Sequence, residues 1–173
     1  MQKLFILLFS FIVSEVPYAQ NSCCNQKVFD TLENKEILIG YCTREGLLST
    51  DFSTYYNDEY SKYKADPEVI KRIIPLLRGV TITIVMGTWC SDSHEQVPRF
   101  LKIVDLMGGK KKPVTMICVN TKKQAVSASL EGMNIGKVPT FIFYRKKKEI
   151  GRIVETPAET LEKDMFSILN THR

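Results

Sequence analysis

The residues best suited to chemistry form one short run, Trp89-Cys90-Ser91-Asp92-Ser93-His94. The run follows an uncharged, β-branched and apolar segment, residues 81–86, and precedes a stretch with the apolar spacing of a helix. Cys90 is therefore expected at a helix start, where unpaired N–H groups and the positive end of the helix dipole favour a thiolate. Because the thiolate is the nucleophilic form of cysteine, the run predicts thiol chemistry.

Three polar neighbours are expected to modulate the ionisation or the hydrogen bonding of that sulfur. His94, one turn further along the helix, supplies positive charge if it is protonated, whereas the Asp92 carboxylate opposes a second negative charge nearby. The Ser93 hydroxyl can donate a hydrogen bond to the sulfur. As metal ligands, Cys90, Asp92 and His94 lack a fourth group at a recognisable spacing, so no metal site is predicted.

The elements that must position this run alternate between short strands and helices. Strands are predicted at residues 37–42, 81–86, 114–119, 140–144 and 149–154, and helices at 52–63, from Pro67, after Cys90, at 121–130 and after a capping box at 156–159. The last two strands flank a basic turn and form an antiparallel hairpin in this prediction. Buried strands separated by helices predict an α/β fold, a mixed central sheet with helices on both faces.

Three sequence features, together with this order of elements, resemble the thioredoxin family. They are Trp89-Cys90-x-x-Ser93 after a buried strand, Pro98 inside the following helix, and Val138-Pro139-Thr140 ahead of the final hairpin. The resemblance spans residues 67–170 and implies a thioredoxin-like fold whose helix is kinked at Pro98. It also implies that Pro139 follows a cis peptide bond and faces the reactive cysteine.

The resemblance further implies where a substrate binds. The backbone N–H and C=O of Val138 would pair with an extended peptide or with glutathione beside Cys90, in the manner of an added β-strand. Trp89 would shape the groove, and Pro139 and Thr140 would complete it.

Two departures from the family pattern concern the release of a bound substrate. Ser93 stands at the catalytic position of the second, resolving cysteine, and Ile84 stands where thioredoxins commonly carry a buried acid. A hydroxyl cannot replace a thiol in disulfide exchange, so Cys90 alone can form a mixed disulfide without resolving it locally. Three outcomes are open: a small thiol such as glutathione resolves it, another protein cysteine resolves it, or the complex persists.

Two functions follow as hypotheses. The first is an exported thiol–disulfide oxidoreductase or isomerase that acts through Cys90 on protein or peptide thiols and disulfides, with no cofactor other than a small thiol as reductant. The second is a redox-inactive module that keeps the fold and binds peptides or proteins in the groove. The helix start at Cys90 favours the first function, whereas the missing thiol at position 93 and the nearby Asp92 favour the second.

The other four cysteines are expected to differ in role. Cys42 and Cys118 lie in predicted strands and are interpreted as core residues. Cys23 and Cys24 are adjacent, so a bond between them would be strained. Either of these two could reach Cys90 as a resolving thiol, and Cys23 is also an alternative site for a lipid anchor.

The N-terminus is predicted to be a secretory signal peptide, residues 1–20, with Lys3 ahead of the apolar run at 4–13. Ten apolar residues are too few to span a bilayer, which needs about 20. Export, to the periplasm or out of the cell, would let disulfides persist. Residues 21–66 are then predicted to be an N-terminal extension that packs on a domain of residues 67–173.

Composition excludes several classes of protein. Of the 173 residues, 44% are hydrophobic and 25% charged, which excludes a disordered chain or a polytopic membrane protein. The net charge of +5 is small and scattered, so nucleic-acid binding is not predicted. No glycine-rich phosphate loop follows a strand, which argues against nucleotide binding. The basic runs at 110–112, 122–123 and 145–148 are interpreted as solvated turns or as contacts for an anionic partner.

Overall fold

The computed structural model describes residues 24–108 and 114–172. Its strands are β1 Gln26–Asp30, β2 Lys35–Cys42, β3 Val80–Met86, β4 Val114–Cys118, β5 Thr140–Arg145 and β6 Lys148–Val154. Its helices are α1 Arg44–Leu48, α2 Phe52–Lys62, α3 Pro67–Ile73, α4 Ser91–Leu106 and α5 Leu161–Thr171, with a 3-10 helix at Ile74–Leu77. The predicted signal peptide, residues 1–20, and Cys23 lie outside the described residues.

The six strands form one mixed sheet in the order β1-β2-β4-β3-β5-β6. β3 and β4 run parallel and are joined through α4, whereas every other neighbouring pair is antiparallel. The predicted hairpin of β5 and β6 is confirmed. β1 is not predicted from sequence; its hairpin with β2 is closed by Asp30, whose carboxylate accepts from the N–H groups of Leu32 and Glu33.

Alternation along β3 divides its side chains between two faces of the sheet. Ile82, Ile84 and Met86 face the main core, to which all five helices contribute side chains, whereas Val85 faces a second, smaller cluster. The prediction of helices on both faces is therefore wrong. Within the described residues, the irregular segment 119–139 takes the place of a helix beside Val85.

The helix predicted at residues 121–130 does not form. The Asn120 side-chain oxygen accepts from the N–H groups of Lys122 and Gln124 and folds the chain into a turn. Lys123 then adopts a left-handed backbone conformation, with a φ of 58°, which a right-handed helix cannot include. Local side-chain hydrogen bonds thus override the modest apolar periodicity of this segment.

Helix boundaries follow the capping residues. Asp66 caps α3 as predicted, with its carboxylate accepting from two backbone N–H groups. The α-helix gives way to a 3-10 helix at Ile74, one residue before Pro75. The capping box predicted at 156–159 is wrong. α5 begins after Thr160, whose hydroxyl accepts from the Lys163 N–H and so satisfies one of the free donors of the first turn.

Residues 24–66 supply two strands of the sheet and two helices. β2 pairs with β4, and α2 packs along α4. The Tyr60 hydroxyl donates to Asp105 on α4, and the Arg44 guanidinium binds the same carboxylate through two nitrogens. These contacts hold α1 and α2 against α4, the helix that begins at the predicted reactive cysteine.

Candidate functional site

Cys90 and the loop ahead of β5 meet at the end of β3. Cys90 is the N-cap residue of α4, and its S–H donates to the Val138 carbonyl oxygen across 3.2 Å. The peptide bond between Val138 and Pro139 is cis, as the sequence resemblance implies. The thiol and the cis peptide bond therefore lie side by side, although 48 positions separate the two residues in the chain.

The contacts of the Cys90 sulfur with the start of α4 differ from those expected from sequence. The Cys90 side chain makes no capping hydrogen bond to the N–H groups of α4. The expected bond from Ser93 is also not formed: Ser93 is fully buried, and its Oγ accepts from the Gly87 N–H at 3.3 Å. Ser93 thus ties α4 to the end of β3, and the S–H bond to Val138 is one that only the neutral thiol can make.

His94 is held by aromatic rings and a carbonyl. Its ring stacks on Tyr55 at a centroid distance of 3.8 Å and meets the edge of Phe52. The Thr88 carbonyl, 2.8 Å from Nε2, can only accept, so Nε2 is assigned the proton. Burial lowers the pKa of His94, which disfavours the protonated ring that would supply positive charge near the sulfur.

The lowered pKa of His94 predicts a pH dependence of stability. The unfolded chain binds a proton at His94 more readily than the folded chain does. The contribution of neutral His94 to the free energy of unfolding is therefore complete above about pH 6.5, and it is lost as the pH falls towards the pKa of the folded state. In urea unfolding at a series of pH values, His94→Gln is expected to flatten this decline. His172, exposed at the end of α5, is the matched control, and His172→Gln should keep the decline. An unchanged slope in His94→Gln would contradict the assignment.

The Trp89 indole forms one wall of the site. Its N–H donates to the Val119 carbonyl at 2.8 Å, and the Lys123 ammonium lies 5.2 Å from the ring centroid. A Cβ at residue 87 would lie 2.6 Å from two atoms of the indole, so only glycine fits there without a shift of the ring. From sequence, Trp89 is identified as a site residue and Gly87 is not, since the close approach depends on how the indole folds back.

The substitution Gly87→Ala is expected to push the Trp89 indole off the Val119 carbonyl. Overpacking of this kind costs about 1–3 kcal/mol in the free energy of unfolding. Because Trp89 is the only tryptophan, its fluorescence should shift to the red as the ring gains solvent. Gly136→Ala is the control, since a Cβ there meets nothing within 4 Å. Equal spectra and equal stabilities in the two variants would contradict the packing argument.

The residues around Val138 hold the loop that carries it. Thr140 is buried, and its hydroxyl donates to the Lys137 carbonyl at 2.7 Å, so this side chain positions the loop. Lys137 pairs with Glu155 at 2.6 Å, which raises the pKa of the lysine, and Asp92 adds a smaller contribution. The Asp92 carboxylate therefore helps to raise the pKa of Lys137, which lies in the loop that contains the cis peptide bond.

The sulfur borders an apolar cluster on the second face of the sheet. Val85, Val119 and Val138 are buried in it. The partly buried side chains packed against these valines are Trp89, Cys90, Ala125, Leu130, Met133 and Ile135. Segment 119–139 supplies most of this cluster, so one side of the thiol faces an apolar surface.

A cleft of about 660 Å³ opens between α2 and the first turn of α4. Lys62 and Arg99 pair with its three carboxylates, so its charge is largely balanced. Tyr55 on α2 stacks on His94 in this cleft. The cleft is lined by Thr54, Tyr55, Asp58, Glu59, Ser91, His94 and Glu95.

The remaining described cysteines lie in the sheet or beside its first strands. Cys42 and Cys118 are buried in the main core, as predicted, and Cys24 forms a backbone bridge with Tyr41 on β2. Across residues 24–108 and 114–172, no group of three His, Cys, Asp or Glu side chains is placed to hold a metal ion. No helix in these two ranges has the length and hydropathy of a membrane-spanning segment.

The chain matches no protein-family model and no curated protein sequence. Its structure resembles that of PA1234, a protein of unknown function from Pseudomonas aeruginosa, with a TM-score of 0.51 and 12% identity over 70% of this chain and 83% of that one. An HIV epitope-scaffold gives a TM-score of 0.49 and 11% identity over 70% of this chain and 84% of the scaffold. At such low identity, the likeness to PA1234 concerns the mixed α/β fold alone.

Proposed function

We propose that the chain is a thioredoxin-like thiol–disulfide exchange protein that acts through the single thiol of Cys90. The observation that carries this proposal is the 3.2 Å contact between the Cys90 sulfur and the Val138 carbonyl, beside a cis peptide bond. The order of elements supports a thioredoxin-like fold: a parallel β3-α4-β4 unit begins its helix at the thiol, and an antiparallel hairpin begins at the cis proline.

Val138 offers a substrate both of its backbone polar groups. Its carbonyl accepts the S–H of Cys90, and its N–H donates to no group in the part of the chain that the structure describes. An extended substrate that adds here as a short strand would donate an N–H to that carbonyl and accept the Val138 N–H. Binding of the substrate would then displace the S–H from the carbonyl and leave the sulfur available to attack.

The exchange itself balances without a further cofactor. The Cys90 thiolate attacks one sulfur of a substrate disulfide, the S–S bond breaks, and a mixed disulfide forms at Cys90. The second substrate sulfur leaves as a thiolate and takes up the proton that Cys90 released. Because Ser93 cannot attack the mixed disulfide, a small thiol of the glutathione class attacks its substrate sulfur. A disulfide forms between the small thiol and the substrate, and Cys90 leaves and takes up the proton of the small thiol.

Export would supply the substrates of this reaction. Disulfides persist outside the cytosol, and the predicted signal peptide would place the chain in the periplasm or outside the cell. The partners are then proteins or peptides with accessible disulfides. The balanced charge of the cleft between α2 and α4 and the apolar cluster beside Cys90 are consistent with a substrate that is read mainly through its backbone.

The experiment that tests the proposal is to mix the folded chain with glutathione disulfide and map the adducts after digestion with trypsin. Trypsin places Cys90 in peptide 79–99, Cys42 in 36–44 and Cys118 in 112–122. Glutathione is expected on peptide 79–99, and reduced glutathione should remove it. If peptide 79–99 reacts only after unfolding in urea, the exchange function is wrong.

A second candidate function is supported by the same hydrogen bond. The Cys90 S–H is taken up by a hydrogen bond to the Val138 carbonyl, and Ser93 accepts a hydrogen bond from Gly87 that needs no redox chemistry. A peptide-binding module without exchange activity would keep both features. It would bind an extended peptide equally well after Cys90→Ser, whereas an exchange protein would lose its covalent complex.

A further inference from the structure

Two cysteines that the sequence marks separately as core residues lie against each other. Cys118 donates its S–H to the Cys42 sulfur, and the two sulfur atoms are 2.9 Å apart. The pair is buried, with Cys42 at 7% exposure and Cys118 at 0%. Each is the last residue of its strand, and Gly40, two residues before Cys42, stands opposite Cys118 in the antiparallel ladder of β2 and β4.

A metal site does not account for this pair. A structural zinc site needs about four ligands, and no group of three His, Cys, Asp or Glu side chains occurs in the described ranges 24–108 and 114–172. The surroundings are the apolar main core. A thiol is a weak donor and a weak acceptor, so the hydrogen bond between the two thiols contributes little energy. It does not by itself account for two sulfur atoms 2.9 Å apart. An approach of about 0.9 Å would bring them to the bonded distance of about 2.05 Å.

We propose that Cys42 and Cys118 form a disulfide that joins β2 to β4 when the chain folds in the presence of a disulfide oxidant. The bond would tie the N-terminal hairpin of β1 and β2 covalently to the centre of the sheet. Neither sulfur belongs to the Cys90 site, so this inference does not rest on the proposed function.

The oxidation balances with a small-molecule or protein disulfide as oxidant. The Cys42 thiolate attacks the oxidant, forms a mixed disulfide and releases one thiolate; the Cys118 thiolate then attacks the Cys42 sulfur and releases the second. Two cysteine thiols thereby lose two electrons and two protons, and the oxidant becomes two thiols. The hydrogen bond to Cys42 and burial raise the pKa of Cys118, so the reaction belongs to the folding chain, before β2 and β4 close over the thiols.

The bond would also stabilise the border of the Cys90 site. It closes a loop between residues 76 positions apart, which restricts the unfolded chain. β2 reaches the site directly, because the Leu38 N–H donates to Thr88 Oγ1, and the Thr88 carbonyl accepts from His94. Fixing β2 against β4 therefore holds one support of the loop that leads into α4.

The test is to refold the purified chain with a mixture of reduced and oxidised glutathione, alkylate the remaining thiols under denaturing conditions, and digest with trypsin. Peptides 36–44 and 112–122 are expected as one disulfide-linked species that separates on reduction. Peptide 79–99 reports the state of Cys90 separately. A missing link between peptides 36–44 and 112–122 would therefore count against this proposal, whereas peptide 79–99 without glutathione would count against the proposed function. Recovery of both peptides alkylated, or each bearing glutathione, would overturn the proposal.

Thermal unfolding provides a second measurement. In a Cys90→Ser background, the oxidised chain is expected to unfold about 5–10 °C above the reduced chain, as a disulfide that closes a long loop predicts. The double variant Cys42→Ala and Cys118→Ala should show no difference between oxidising and reducing conditions. Equal transition temperatures for the oxidised and reduced Cys90→Ser chain would count against the bond.

Discussion

Replacing Cys90 by serine is expected to eliminate the mixed disulfide between the folded chain and a disulfide substrate. A hydroxyl does not take part in disulfide exchange, so the loss should be complete within the detection limit. Serine can donate to the Val138 carbonyl in place of the thiol, so the free energy of unfolding should change by about 1 kcal/mol or less. Intact mass after mixing with a glutathione-capped peptide reports the adduct, and urea unfolding reports the stability.

The matched control for this experiment is Cys24→Ser, which removes a partly buried cysteine from the N-terminal end of the described chain. That variant should form the mixed disulfide as the wild type does. It also tests whether Cys24 resolves the adduct, because a longer-lived adduct in Cys24→Ser would identify it as a resolving thiol. An adduct that persists in Cys90→Ser would place the exchange chemistry on another cysteine.

Replacing Ser93 by cysteine is expected to shorten the lifetime of the mixed disulfide by at least about a hundredfold. Residues 90 and 93 are the N-cap and the third residue of the same first helical turn, which places their side chains on one side. A thiol at position 93 attacks the Cys90 sulfur, the substrate leaves as a thiol, and a disulfide joins residues 90 and 93. Intramolecular attack by an oriented group has an effective concentration far above that of a dissolved thiol.

The variant Ser91→Cys is the matched control for position 93. Ser91 is exposed at the start of α4, and adjacent cysteines pair only with strain, so this variant should keep the long-lived adduct. Substrate release is followed by the absorbance of a chromogenic leaving thiol. Equal lifetimes in Ser93→Cys and Ser91→Cys would show that the first turn of α4 does not bring residues 90 and 93 together, and the proposed site geometry would be wrong.

The parts of the site that could be predicted from sequence are those with local signals. β3 is an uncharged β-branched run, and α4 follows it with helical spacing, so Cys90 is placed at a helix start by its neighbours in the chain. The cis bond before Pro139 is implied by family resemblance and confirmed. Asp66 predicts its helix start because a capping side chain acts on the two or three residues that follow it.

The partners of these residues could not be predicted, because their contacts join distant parts of the chain. Trp89 bonds to Val119, Thr88 to Leu38 and Cys90 to Val138, and 30, 50 and 48 positions separate the two members of these pairs. His94 illustrates the consequence. Its residue type suggests a cation, but stacking on Tyr55 from another helix buries it and lowers its pKa.

The amino-acid sequence by itself determined where most strands lie along the chain, that Cys90 stands at a helix start, and that a hairpin follows Pro139. Each of these features depends on propensities within a few residues. Only the tertiary structure decided that all five described helices pack on one face, and that segment 119–139 forms an irregular cover on the other. It also brought Cys42 within 2.9 Å of Cys118. Burial of side chains against remote neighbours determines these features, and their energies exceed the local preferences that a sequence displays.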